Sequence, residues 1–260
     1  MDSRMRTTLC IVLLCCVLLI PAFLFPSSTP DWPSFYAGAK LATRGSAELY
    51  SFQASQQITG QFEDPSYVWA FVRPPIYAIA LSPLGALPPR AAFMVWELLN
   101  VAAVIGFVFL VDPSPFGFVM TALFVPLGLS FRQGQDMPLW LLSIGLSMVL
   151  LRRNKAFAAG LVLALCGIKF HLFLLVPVFL LARKAGKMAA GLCVGGVLLI
   201  VGCFALFGRN WPSQYYTCIV ENQRHIYPRP DRSWRWFAFL GGRLSSVWLS
   251  ERCAISYAGM

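Results

Sequence analysis

A lone carboxylate follows the first apolar run of this chain. Asp31 lies a few residues after that run ends, among aromatic rings at Trp32, Phe35 and Tyr36 that are typical of the interfacial belt of a bilayer. A carboxylate there can take a proton from an attacking hydroxyl, so Asp31 is our candidate general base for a lipid-linked substrate. The alternative is a helix N-cap, because Asp is favoured at that position and Pro33 suits a first helical turn.

Four other side chains could bind a phosphorylated sugar. Arg73 and Lys169 fall near membrane depth, where an unpaired cation carries a large desolvation cost, so we expect both to contact a phosphate. Snorkelling to the interface is the alternative for both. His171 could donate to a phosphate oxygen and Gln135 could bind a sugar hydroxyl, although a merely solvated role stays open for His171 and for Gln135.

The composition is that of a membrane protein. Of 260 residues, 58% are hydrophobic and only 12% are charged, and the mean hydropathy is +0.66. The net charge of +10 forms no basic stripe, since Arg and Lys mostly flank apolar runs, and this excludes nucleic acid as a partner. The Cys and His residues show no ligand spacing, so we expect no metal and no cofactor.

Glu97 is a second acid of interest, because it falls inside an apolar run seven residues after Arg90. One or two helical turns from an interface, a carboxylate can still reach water. We therefore interpret Glu97 as structural rather than catalytic.

The charge pattern predicts a single membrane domain. We expect an uncleaved first span over residues 1–26 with a cytoplasmic N-terminus, and an external catalytic loop over 27–66 with short interfacial helices. Residues 67–207 should form about six to seven short spans, one of them possibly re-entrant. Residues 208–260 form an external or interfacial tail rich in Arg and Trp.

Two basic clusters orient the spans. Residues 152–155 and 183–187 should both face the cytoplasm, so the chain between them goes out and returns, with Lys169 and His171 at the outer tip. An external Asp31 and an internal Arg152 require an odd number of crossings, yet four apolar stretches lie between them. Either the segment at Arg73, with its two prolines, or the stretch 116–131 is therefore not a full crossing.

Several motifs occur in an order and spacing that resemble glycosyltransferase family 87, the polyprenyl-phosphate-mannose-dependent alpha-mannosyltransferases of the GT-C fold (the DUF2029 type). The resemblance spans about residues 30 to 216 and includes Gly134-Gln135 before a Leu-rich span, and Ala159-Gly160 leading to Lys169. The other matching segments are DWPSFYA (31–37), RGSAELY (44–50), FVRPP (71–75), SPLGALP (82–88), WELLN (96–100) and FG (207–208) with Trp211 and Tyr215.

The resemblance implies an all-α, polytopic bundle of GT-C type in the bacterial inner membrane, with its active site on the outer face. It implies a membrane glycosyltransferase that moves a mannosyl or similar hexosyl group from a polyprenyl-phosphate donor to a lipid or glycan acceptor with inversion. Family members are longer, so we expect a truncated or shortened member. A catalytically inactive member that only binds polyprenyl phosphate, or a small transporter or assembly factor, remains an alternative.

Overall fold

The computed structural model describes residues 3–24, 31–60, 70–169 and 174–226, and no strand occurs within these ranges. The predicted all-α class is confirmed for this part of the chain. Its helices are α1 (Ser3–Leu24), α2 (Trp32–Leu41), α3 (Ser46–Leu49), α4 (Phe52–Thr59), α5 (Pro75–Gly85), α6 (Pro89–Val111), α7 (Pro115–Ala122), α8 (Val125–Arg132), α9 (Met137–Arg152), α10 (Ala156–Leu163), α11 (Leu175–Ala182), α12 (Gly186–Phe207) and α13 (Trp211–Ile226). A 3-10 turn, Ala164–Lys169, extends α10.

Two helices, α6 and α12, are long and apolar enough to cross a membrane, judged by length and composition within the described residues. The pair α7 and α8 adds a third crossing if it is one span, but it is bent by 58°. This is one of the two stretches suspected from sequence, and Pro126 stands in the first turn of α8. Four shorter apolar helices, including α5 and α9, leave the expected total of six to seven spans a prediction.

The short helices expected in the first loop exist as α2, α3 and α4, but α2 does not lie on a surface. Nine of its ten residues are buried, Trp32 and Tyr36 among them, so the expectation that these rings anchor a bilayer interface is wrong. Close backbone approach explains the burial. A Cβ at Gly38 would collide with the Phe71 ring, and one at Gly85 would lie 2.8 Å from the backbone of α2.

Helix α10 is held tightly against α12, which fixes the 3-10 turn that ends at Lys169. A Cβ at Gly160 would collide with the Met188 carbonyl oxygen, and one at Gly191 with that of Phe157. Glycines at such a crossing let two apolar helices meet backbone to backbone. Ser147 of α9 adds a hydrogen bond from its hydroxyl to the Ala159 carbonyl oxygen at 2.9 Å.

Glu97 corrects one expectation from the sequence. It lies on the buried face of α6 and is fully buried, so its carboxyl group does not reach water at the interface. Within the described residues, neither carboxyl oxygen has a hydrogen-bond partner. A carboxyl group in this position is better accommodated as the neutral acid, because an unpaired buried charge is costly.

Candidate active site

Asp136 is the centre of a buried ion-pair cluster. It is the residue before α9, and its carboxylate is fully shielded from solvent. Lys169 donates from Nζ to Oδ1 at 3.0 Å, and Arg73 donates from Nε to Oδ2 at 3.4 Å. Two cations predicted from the sequence to bind phosphate therefore converge on one carboxylate. Neither cation snorkels away from the site.

Arg73 is held by groups from several elements. Its guanidinium lies over the Phe35 ring at 5.6 Å from the centroid, and Nη1 donates to the Val72 carbonyl at 3.3 Å. The Tyr50 hydroxyl donates to the Arg73 carbonyl oxygen at 2.9 Å. Helix α13 supports the same segment, because the Asn222 side chain accepts from the Ala70 amide at 3.1 Å. The irregular segment 70–74 before α5 is therefore held in place beside the site.

Asp31 lies beside this cluster and interacts with it. The Asp31 carboxylate adjoins the Gln135 side chain and feels the charges of Arg73, Lys169 and Asp136. It makes no side-chain cap bond to α2, although it occupies the N-cap position. The cap alternative raised by the sequence therefore has no support in the geometry, and the carboxylate of Asp31 is left facing the two cations and Gln135.

The turn that carries Gln135 and Asp136 is fixed by its backbone. The Trp96 indole donates to the Gly134 carbonyl oxygen at 3.0 Å. The Asn100 side-chain Nδ2 donates to the Gln135 backbone carbonyl oxygen at 3.2 Å. The turn also holds Asp31 directly, since the Asp31 backbone amide donates to the Gln133 carbonyl oxygen at 3.2 Å. One turn therefore positions both Asp31 and Asp136.

Gly134 allows this turn to close. Its φ of +66° is a left-handed conformation that disfavours a side chain, and a Cβ there would lie 2.8 Å from the Trp32 Cβ. We expect Gly134→Ala to lower the free energy of unfolding by about 2 kcal/mol or more, as measured by thermal or denaturant unfolding. Any activity that depends on Asp31 should fall as well, because Trp32 adjoins Asp31.

The matched control for this substitution is Gly128→Ala in α8. A Cβ at Gly128 meets no atom within 4 Å, and its φ is not left-handed, so alanine there should leave stability unchanged or raise it by up to about 1 kcal/mol. Equal losses from both substitutions would show that Gly134 has no special conformational role.

The two carboxylates of the site differ in proton affinity. Burial would raise the pKa of Asp136, but the charges of Arg73 and Lys169 outweigh burial and hold the pKa below its ordinary value. Burial raises the pKa of Asp31, and the opposing effects of Gln135, Arg73 and Lys169 do not cancel it. Asp136 thus serves as a permanent anion, whereas Asp31 is the better proton acceptor.

The sequence selected most of this site and missed its centre. Asp31, Arg73, Gln135 and Lys169 are brought together, whereas His171 lies outside the described residues. Asp136 was missed, although one signal was available: two cations at membrane depth need a counter-ion, and Asp136 directly follows Gln135 in the same motif. The Tyr77 hydroxyl and Trp140 indole adjoin the Asp136 carboxylate without hydrogen-bond geometry.

Comparison with known proteins identifies the family. The model of glycosyltransferase family 87 matches residues 71–254, a range that contains Arg73, Gln135, Asp136 and Lys169 but not Asp31. Comparisons with curated proteins and with solved structures gave no match. The family match covers more than half of the chain and agrees with its apolar helices. The chain therefore belongs to glycosyltransferase family 87 and is a membrane glycosyltransferase.

Proposed function

We propose that this enzyme transfers a mannosyl or similar hexosyl group from a polyprenyl-phosphate donor to a hydroxyl group of a lipid or glycan acceptor, with inversion at the anomeric carbon. The supporting observation is the placement of a carboxylate of raised pKa, Asp31, beside two cations that share one buried counter-ion. Such a site pairs a proton acceptor with positive charge for an anionic leaving group, which is what this displacement requires.

The proposed step is a single displacement. The acceptor oxygen attacks the anomeric carbon and forms the new glycosidic bond while Asp31 takes the hydroxyl proton. The bond between the anomeric carbon and the phosphate oxygen breaks, and its electron pair leaves with the polyprenyl phosphate. Lys169 and Arg73 stabilise the charge that develops on that oxygen, so the leaving group needs no acid.

Gln135 and His171 complete the proposed donor site. Gln135 is proposed to orient the base, because its side chain adjoins Asp31 and is itself held by a hydrogen bond from Nε2 to the Gln133 side-chain oxygen at 2.9 Å. The side-chain oxygen of Gln135 then accepts a hydrogen bond from a sugar hydroxyl. His171 follows Lys169 by two positions, and we propose it as a further donor to the phosphate.

A charge argument supports an outer-face location of the site. Helix α9 begins next to Asp136 and ends at Arg152, and its 16 residues span about 24 Å at 1.5 Å per residue. The site and the basic residues 152–155 thus occupy opposite ends of one helix. A cytoplasmic location of those basic residues puts the site outside, together with loop 27–66 and tail 208–260, in a bacterial inner membrane.

The site also favours an active enzyme over a remnant that only binds lipid phosphate. The proposed base, both cations and their counter-ion lie between residues 31 and 169, and each is fixed by contacts within the described residues. A site that had lost its role would have no need to keep two buried cations on one carboxylate, which is an expensive arrangement in a low dielectric.

The raised pKa of Asp31 predicts a pH dependence of transfer. The base works only when ionised, so kcat/KM should fall as the pH drops through the raised pKa of Asp31, at a higher pH than an ordinary aspartate with a pKa of about 3.9 would give. The lowered pKa of Asp136 keeps that group ionised over the same range, so the acid limb should have a slope of one. A profile measured from about pH 4 to about pH 8 that stays flat would contradict the role of Asp31.

The donor class is tested by comparing two radiolabelled donors with the purified enzyme in liposomes. Mannosyl polyprenyl phosphate should pass its label to an acceptor, and a nucleotide-activated mannose should not. Transfer from the nucleotide sugar alone would overturn the proposed donor, because Arg73 and Lys169 would then serve another ligand.

A further inference from the structure

The four charged side chains of the site balance one another, with two carboxylates, Asp31 and Asp136, facing two cations, Arg73 and Lys169. Asp136 presents one oxygen to each cation, at 3.4 Å and 3.0 Å, as two oxygens of a phosphate would. A buried carboxylate therefore already neutralises part of the positive charge that a phosphate ligand would contact.

Asp136 cannot easily leave when a phosphate arrives. It is fully buried next to the start of α9, and its carbonyl oxygen accepts the first backbone bond of that helix, from the Leu139 amide at 3.2 Å. The cations nevertheless keep donors for a ligand. Arg73 commits Nε and Nη1, and the Lys169 ammonium carries three donors, of which one is used within the described residues. A phosphate would thus bind beside Asp136 and feel its negative charge.

The charge on the phosphate changes during the proposed reaction. The donor is a phosphodiester with one negative charge, whereas the departing lipid phosphate is a monoester that carries up to two near neutral pH, because its second pKa is about 6. Two uncompensated cations would hold this product more tightly than the substrate. Asp136 removes part of that excess attraction.

We propose, on the basis of the function proposed above, that Asp136 is a positioning residue with two effects: it fixes Arg73 and Lys169 when the site is empty, and it limits their hold on the lipid phosphate so that the product leaves. This role differs from that of a simple structural ion pair. With Asp136 present, the enzyme binds the product lipid phosphate more weakly than Arg73 and Lys169 would bind it alone.

The test measures binding of farnesyl phosphate to the full chain in phosphatidylcholine nanodiscs at about pH 8, where the phosphate monoester is dianionic. Asp136→Asn should bind farnesyl phosphate at least about tenfold more tightly than wild type, because a like charge beside the ligand is gone. Farnesol, which has the same chain without the phosphate, should bind both proteins equally. Competition by inorganic phosphate separates recognition of the phosphate from recognition of the lipid.

Steady-state kinetics give a second test, because a purely structural role of Asp136 predicts a different result. In the transfer assay Asp136→Asn should lower both KM and kcat and should be inhibited by farnesyl phosphate at lower concentrations than wild type. A purely structural Asp136 would instead lose affinity and rate together. Melting temperatures of both proteins establish that folded enzyme is compared.

Asp136→Asn leaves two buried cations with less negative charge and could fail to fold. The same comparison is therefore repeated in a Lys169→Gln background. There Asp136→Asn removes only one ion pair, the pair between Asp136 and Arg73. Tighter binding of farnesyl phosphate by the double variant than by Lys169→Gln supports the proposal. If removal of Asp136 leaves binding of farnesyl phosphate equal or weaker, and wild type still distinguishes farnesyl phosphate from farnesol, this inference is overturned. The proposed function is then unaffected. If neither wild type nor the Asp136 variants distinguish the two lipids, both this inference and the proposed donor are overturned.

Discussion

Asp31→Asn is expected to lower kcat for sugar transfer by about 10²- to 10⁴-fold, the range that a positioned general base contributes. The substituted amide keeps the size of the carboxylate but cannot take the proton of the acceptor hydroxyl. Stability should not fall, because Asp31 makes no cap bond and burial already disfavours its charge. Rates are measured on purified protein in liposomes, with melting temperatures recorded for each variant.

Asp112→Asn is the matched control for the base. Asp112 is an exposed aspartate directly after the end of α6, and its side chain accepts from the Ser114 amide at 3.1 Å. It lies twelve residues beyond Asn100, the α6 residue that contacts the Gln135 carbonyl oxygen. Its substitution should change the rate less than about twofold. If Asp31→Asn keeps the wild-type rate while folded, another group must accept the proton and the assignment of Asp31 is wrong.

Lys169→Met is expected to lower kcat/KM by about 10²- to 10³-fold, as removal of one donor to a developing oxyanion does in other enzymes. Methionine fills the volume of the lysine stem but leaves the phosphate with Arg73 alone. The substitution also leaves Asp136 with one partner, at 3.4 Å, so some stability should be lost. Activity must therefore be expressed per folded molecule, determined from the unfolding curve.

Lys155→Met provides the comparison for Lys169. Lys155 is exposed at the start of α10, the opposite end of the helical rod that ends at Lys169. Its loss should leave transfer from the lipid donor unchanged within about twofold. Equal effects of the two substitutions would indicate that the rate depends on the total positive charge of the protein. Lys169 would then have no specific contact with the phosphate.

Proline made several helix starts predictable. Pro75 and Pro89 stand at the starts of α5 and α6, and Pro126 stands in the first turn of α8 after the bend. Proline has a fixed φ and lacks an amide proton, so it suits the first turn of a helix, whereas Pro83 lies inside α5 and does not end that helix. The number of membrane crossings stays a prediction, because it cannot be read from helix length alone.

The surroundings of each side chain were less predictable, because one pattern serves two environments. Aromatic rings next to a charged loop are typical of an interfacial belt, yet Trp32 and Phe35 pack against Trp96 at centroid distances of 5.9 and 5.6 Å inside the protein. Glu97 is likewise buried by the rotation of α6, which sequence spacing does not fix against neighbouring helices. Both outcomes depend on contacts between segments far apart in the chain.

The site residues were predictable for a different reason. Cations near membrane depth must have a partner or a function, and this argument selected Arg73 and Lys169 without any knowledge of their positions. The same argument implies a counter-ion, which Asp136 supplies at 3.0 Å from Lys169. Its identity required the structure, because several acids of the chain could have served and only the fold brings residue 136 next to residues 73 and 169.

The central claim is that the enzyme transfers a sugar by a single displacement of lipid phosphate. The most direct measurement follows ¹³C-labelled mannose from polyprenyl phosphate into the acceptor by nuclear magnetic resonance, with wild-type enzyme in liposomes. We predict a labelled glycoside whose anomeric configuration is inverted relative to the donor. A product with retained configuration, or folded enzyme that forms no labelled glycoside from this donor in the presence of a hydroxyl acceptor, would contradict the claim.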